Sequence, residues 1–280
     1  MALVPFPKRD EESPQPYAAG GSDAASPFGD EGEPLDGRMT FLEHLDELRK
    51  RITHAVLALL VGFLIAFAFI NRTVNFVYQR LTADLPGGQF IYTEPGEAFF
   101  LYIKIAALSG VILASPYIMW QVWLFIAPGL YAREKRLAIP FVVGSSSLFV
   151  AGTAFSHYVL FPAAWKFFAS FTNEWVQFTP RIEPVFGLYV KLMLGMGLVF
   201  QMPMLILVLA RLGIVTAAFL TRNIKYAILL IFIVAAVITP DGSPVSQALV
   251  AAPMFVLYVI GIGVAWLFGK SRKDEPEISA

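Results

Sequence analysis

Cysteine is absent from all 280 residues, which excludes a disulfide framework and thiolate metal sites. Charge is scarce as well. Asp, Glu, Lys and Arg make up 15% of the chain, against about a quarter in an ordinary soluble domain. Neither sign is in excess, with 21 basic and 21 acidic residues, so no global basic field invites nucleic acid. The three histidines, His44, His54 and His157, are scattered, and there is no His-Glu-x-x-His, Gly-x-Ser-x-Gly or phosphate-cradling glycine loop. No pair of aspartates lies within an apolar run. These absences exclude the usual enzyme chemistries, and no catalytic residue, metal or cofactor is expected. No internal repeat is visible either, which counts against an inverted-repeat transporter.

What is present is apolar. Hydrophobic residues make up 57% of the chain, and the mean hydropathy is +0.64. A bilayer core about 30 Å thick takes roughly 20 apolar residues as helix. Six runs fit: 52–70, 99–126, 137–161, 185–210, the short 223–239, and 245–268. Flanking charge supports the short fifth run. Twelve Lys and Arg, among them Arg49–Arg51, Arg133–Arg136 and Lys270–Lys273, fall on one side, and only Arg72, Arg80, Lys166 and Arg181 on the other. The basic-rich side is cytoplasmic by the positive-inside rule. That bias holds only if the fifth run crosses, which puts both termini in the cytoplasm. The fold class expected is therefore all-α: a polytopic bundle of six transmembrane helices.

Residues 1–38 carry prolines and many acids without an apolar run, so a disordered cytoplasmic extension is expected there rather than a cleavable signal peptide. The membrane domain is expected over 39–268 and a cytoplasmic tail over 269–280. Prolines 116, 140, 203 and 253 lie in or near spans and predict kinks. Two external loops are expected. The first, 71–98, is long for a hairpin; the second, 162–184, holds Trp165, Phe167, Phe168, Phe171, Trp175 and Phe178, which predicts an aromatic cap lying on the headgroups.

The sharpest local pattern is Phe41-Leu42-Glu43-His44-Leu45-Asp46-Glu47-Leu48-Arg49-Lys50-Arg51. Leu42, Leu45 and Leu48 make the apolar stripe of an amphipathic lead-in helix. Its acids either solvate the wet face of an interfacial helix or receive a cation at the membrane surface. The loop 127–136 poses the same choice, with Glu134 its only acid among three bases. Lys104 and Lys191, near the external ends of their spans, either snorkel to headgroups or line a path. Gln201, deep in the fourth span, is costly against lipid and must face a partner or a wet groove. Asp241 follows Pro240 in a short external turn, where turn chemistry alone accounts for it.

Several of these stretches together resemble the TatC family, the multi-spanning subunit of the twin-arginine protein translocase. They are 45–51, Ser115-Pro116, the run from Gln121-Val122-Trp123 to Phe125-Ile126-Ala127-Pro128, Glu134-Lys135-Arg136, and Thr239-Pro240-Asp241 with Ser246-Gln247 and Ala252-Pro253-Met254. The resemblance covers about 39–268. It implies a glove-like bundle of tilted, kinked helices in the bacterial inner membrane. It further implies a cytoplasmic site for paired-arginine signal peptides of folded substrates, at Glu47, Arg49, Phe125 and Glu134. The partners implied are small single-span subunits related to TatA and TatB, further copies of the chain, and the bilayer. Family members often carry Glu where this chain has Gln201, so a hydrogen-bonding role survives there while a charge-dependent one does not. The alternative from a different class is a small-solute or ion transporter using Lys104, Lys191 and Gln201.

Overall fold

Hydrogen bonding within each segment is what a bilayer demands of the backbone, and the structure meets the demand with helices. The computed structural model describes residues 41–83, 89–126, 138–172, 175, 179–239 and 243–269. The helices are α1 (Phe41–Ala68), α2 (Ile70–Thr82), α3 (Glu97–Ile126), α4 (Ala138–Phe155), α5 (Phe161–Ala169), α6 (Ile182–Val199), α7 (Met202–Arg211), α8 (Ala217–Arg222), α9 (Ile224–Ile238) and α10 (Pro244–Phe268). Leu42–Ala280 forms one compact unit. Among the described residues the only strand-like pairing is an isolated parallel bridge between Ile91 and Arg181.

Five stretches are long and apolar enough to cross a membrane: His44–Ala68, Glu97–Ile126, Ile139–Ala169, Ile182–Arg211 and Pro244–Phe268. The sixth apolar helix, Ile224–Ile238, is shorter, and it packs against α6 and α10. The six apolar runs of the sequence are therefore helical over their described residues, two of them built from more than one helical segment. Their ends follow local chemistry. Ser243 caps α10, its hydroxyl accepting from the Ser246 N–H at 3.2 Å, and Pro244 fills the first helical position, where no N–H is needed. Gly213, at φ 75°, closes α7: its N–H donates to Ala210 O and the Ile214 N–H to Leu209 O.

Several expectations about the spans need correction. The lead-in helix and the first span are one continuous helix, α1. The first external segment is not simply a loop, because Ile70–Thr82 is an amphipathic helix burying Val74, Val77 and Leu81. The third span does not stop at Phe161. A π-helical turn, Ser156–Leu160, carries it into α5 as far as Ala169. Trp165 therefore lies in the core, 2% exposed and stacked on Phe161. Phe168 packs against the same core. Only Phe171 and Trp175 are open as an interfacial aromatic cap would be, and Phe178 lies outside the described residues. The fourth span is broken at Phe200-Gln201, just ahead of Pro203. Pro203, one of the four prolines read as kinks, coincides with this break. Pro140 sits in the first turn of α4, and helix continues through Pro116 and Pro253.

The backbone repairs are visible where prolines fall. Pro116 has no N–H for the Ile112 carbonyl, and the Ser115 hydroxyl donates to it instead at 2.8 Å. Pro162 likewise releases the Tyr158 carbonyl. Arg80 of α2 reaches across, its Nε donating to His157 O at 3.2 Å and its Nη2 lying 3.5 Å from Tyr158 O. His157 Nδ1 is 2.8 Å from the Tyr189 hydroxyl, and Phe76 stacks on the imidazole ring, so α2 is seated on the π-helical turn.

Helices in lipid gain little from hiding apolar surface from one another, so close packing of small residues decides their contacts. Only 11% of the α1 window is buried, against 44% for α6 and α7. Its attachment in mid-span is a glycine pair: a Cβ on Gly62 would stand 2.5 Å from Gly110 O. Gly62→Leu is expected to cost about 1–3 kcal/mol by overpacking. Gly187→Ala, whose new methyl meets nothing within 4 Å, is expected to be neutral or stabilising by about 0.5–1 kcal/mol. Unfolding midpoints in one detergent check both, and equal shifts would contradict this packing account.

Candidate functional site

The basic end of the bundle brings α1 and α3 together. His44 stacks on Phe125, ring centroids 4.5 Å apart and planes 22° from parallel. Glu47 lies three residues along the helix from His44 and shares its face. Its side chain is 14% exposed, and its Oε1 accepts from Arg51 Nη2 at 2.9 Å. The other oxygen, Oε2, is buried and has no protein donor, and Arg51 Nε has no protein acceptor. One carboxylate oxygen thus lacks a donor, one helical turn from the His44–Phe125 stack. Arg49, two residues on, points to a different face and is exposed.

The structure therefore brings His44 and Phe125 together, with Glu47 one helical turn along from His44, and leaves Arg49 on another face. Glu134 and Asp241 lie outside the described residues. His44 and Arg51 escaped the sequence reading. His44 looked like one of three scattered histidines, although its place three residues before Glu47 put both on one helical face. Buried Gln121 was noticed only as part of a motif. It is 5% exposed, and its Oε1 has no protein donor.

The opposite end is tied by charge. Lys104 pairs with Glu183 at 2.8 Å, both side chains about half exposed, so the pair contributes only about 0–1 kcal/mol. Lys104 is held at the surface rather than lining a path. A second pair ties the two external segments: Arg181 Nη2 meets Glu97 Oε1 at 2.5 Å. Glu97 is 7% exposed and also accepts from Thr93 N and Oγ1, each at 3.3 Å. The hydrogen bond that Arg181 donates to the Glu97 carboxylate holds the Arg181 pKa above its ordinary value. Beside it, Ile91 N donates to Pro180 O and Ile182 N to Ile91 O. Gln201, half-buried at the break between α6 and α7, donates from Nε2 to Ser145 O at 3.0 Å. Its partner is thus a helix of the same bundle. Among the described residues no group of His, Asp or Glu could hold a metal ion.

Residues 43–253 match the family model for the Sec-independent protein translocase protein TatC. The chain belongs to the TatC family. A TatC of Desulforapulum autotrophicum is 40% identical over 241 residues, covering 86% of this chain and 89% of that protein. The TatC of Koribacter versatilis is 40% identical over 252 residues, covering 88% and 92%. A crystal structure described as the twin arginine translocase receptor TatC superposes with a TM-score of 0.72 at 35% identity, over 79% of this chain and 97% of that one. The same receptor crystallised in DDM gives a TM-score of 0.73 over 81% and 100%. Fold and family together make the chain a multi-pass protein of the bacterial inner membrane and a component of the protein translocase.

The contact that Gln201 makes with Ser145 needs a donor. An amide donates to Ser145 O, and an ionised carboxylate offers no donor. Gln201→Glu is expected to lose about 1–3 kcal/mol of stability at neutral pH. The loss should shrink as the pH falls and the acid protonates, since the protonated form regains a donor. Unfolding of the variant followed at pH 5 and pH 8 checks this, and a loss independent of pH would contradict it.

Proposed function

We propose that this chain is the signal-reading core subunit of a twin-arginine translocase. Both termini face the cytoplasm in this reading, which rests on the bias of Lys and Arg to one set of helix ends. Residues 1–38 form a cytoplasmic extension, 39–268 the membrane domain and 269–280 a tail. The observation that carries the reading is Glu47: a half-buried carboxylate at the basic end, with one oxygen on Arg51, the other without a protein donor, and the His44–Phe125 stack alongside.

A guanidinium suits such a place. It is planar, always charged and offers paired donors that fit a carboxylate, whereas an ammonium presents a single charged point. Glu47 takes one arginine of the signal peptide by exchange with Arg51, and Glu134, in the loop that follows Phe125, takes the other. Arg49, on another face of α1, acts on flanking groups of the peptide rather than in the same pocket. Exposed ion pairs contribute about 0–1 kcal/mol each, so the apolar part of the signal peptide and the partner subunits supply most of the affinity.

Those partners are single-span subunits of the TatA and TatB kind and further copies of this chain. Gln201, Lys104 and Asp241 are the polar groups assigned to partner contacts within or near the membrane, with Gln201 and Lys104 already engaged by Ser145 and Glu183. A transporter of small solutes would instead show substrate-dependent flux in liposomes holding this chain alone.

Glu134→Ala is expected to abolish export of a reporter carrying a twin-arginine signal while the protein still inserts normally. Glu47→Ala is expected to weaken binding of the signal peptide by up to about fivefold, the worth of one such ion pair. Unimpaired export and binding in both variants would contradict the assignment.

A further inference from the structure

A cavity opens at the same end of the bundle, between the last turns of α7 and α10 and the first turn of α4. Its volume is about 210 Å³. Trp123, Phe141 and Val208 form its floor and pack as a small apolar cluster of their own. Pro140 and Phe268 form an exposed rim. Among the described residues the one charged group in the lining is Arg211.

Arg211 is held firmly. It is the last residue of α7, and the two hydrogen bonds around Gly213 fix the turn that follows it. Its guanidinium carbon sits 5.6 Å from the centroid of the Phe268 ring. Its Nε is buried and has no protein acceptor. Among the described residues α4, α7 and α10 carry no acid at all, so no ion pair from these helices neutralises it. A buried guanidinium N–H without an acceptor is costly, and the natural partner of such a fork is a phosphate or carboxylate.

We propose that this cavity is a binding site for an anionic phospholipid of the surrounding bilayer, with the headgroup phosphate on Arg211 and one acyl chain over the Trp123, Phe141 and Val208 floor. Four observations converge on that occupant. The cavity lies at the ends of membrane-crossing helices, the depth of the headgroups. Its floor is apolar, and it is larger than the cavity of about 150 Å³ that takes up benzene in a protein core. Its charge is positive, as in other basic pockets between transmembrane helices that hold anionic headgroups. That charge also repels a peptide bearing paired arginines, so this is not the seat of the signal peptide. Lipid and signal peptide are thus read by two sites of opposite charge at one end of the bundle: a carboxylate on α1 and a guanidinium on α7.

The test uses the full-length protein in detergent, titrated with phosphatidylglycerol or phosphatidylcholine brominated in the acyl chains. Quenching of Trp123 fluorescence is read by subtracting a Trp123→Phe variant. Phosphatidylglycerol is expected to reach half-maximal quenching at about a fivefold lower concentration, the worth of one basic side chain near an anionic headgroup. Arg211→Gln should bring the two curves together, and Arg211→Lys should restore part of the gap. Four outcomes overturn the proposal. Equal curves in the unaltered protein would leave an unspecific apolar cleft. No quenching of Trp123 by either lipid would mean that another part of the chain fills the cavity. A preference that survives Arg211→Gln would place the headgroup elsewhere. Displacement of the lipid by an equal concentration of free glycerol phosphate would make this a soluble-anion site in which the acyl chain plays no part.

Discussion

Hydrocarbon offers no hydrogen bonds, so every carbonyl that a proline or a bulge releases inside a membrane helix needs a donor from the protein itself. Much of this fold depends on how that demand is met. Ser115 supplies the donor at Pro116, which lets α3 run unbroken from the external segments to Phe125. Arg80 supplies it at the π-helical turn ahead of Pro162, and so fixes the amphipathic helix α2 against the third span. With α2 seated there, Val74, Val77 and Leu81 close the same core as Phe161, Trp165, Phe186 and Tyr189. The external segments are then tied across that core by Glu97 and Arg181.

The opposite end is built differently, and function follows from the contrast. α1 touches the bundle in mid-span through Gly62 and Gly110 and at its beginning through the His44–Phe125 stack. A helix with so little burial is held in place by few interactions. In the function proposed above, its carboxylate, Glu47, would exchange Arg51 for an incoming guanidinium without dismantling a core. Rigid packing at one end and a lightly held helix at the other suit the proposed role, recognition of a peptide at the membrane surface.

How much of this was legible in the sequence depends on the range of the interaction concerned. The six apolar helices could be read directly because hydrophobic length is a local property, and the short fifth one was recovered from the charges around it. Glu47 could be singled out because acids followed by a basic stop form a local pattern, and Phe125 because its motif resembles a family. The helical nature of 70–82 was missed because its polar face lowers its hydropathy below that of a span. The burial of Trp165 was missed because a π-helical turn shifts the face that α5 presents, and no local pattern announces such a turn. Pairings between distant segments, such as Glu97 with Arg181, His44 with Phe125 and Gln201 with Ser145, depend on how helices pack. Sequence marked those residues as polar or aromatic without naming their partners.

The central claim is that two carboxylates at the basic end, Glu47 and Glu134, read paired arginines. Photoreactive groups placed at these two positions in the membrane-inserted protein test it most directly, with signal peptides carrying Arg-Arg or Lys-Lys offered in turn. The account predicts crosslinks from both positions to the Arg-Arg peptide and their loss with Lys-Lys. Equal crosslinking to both peptides, or none from either position in correctly inserted protein, would contradict it.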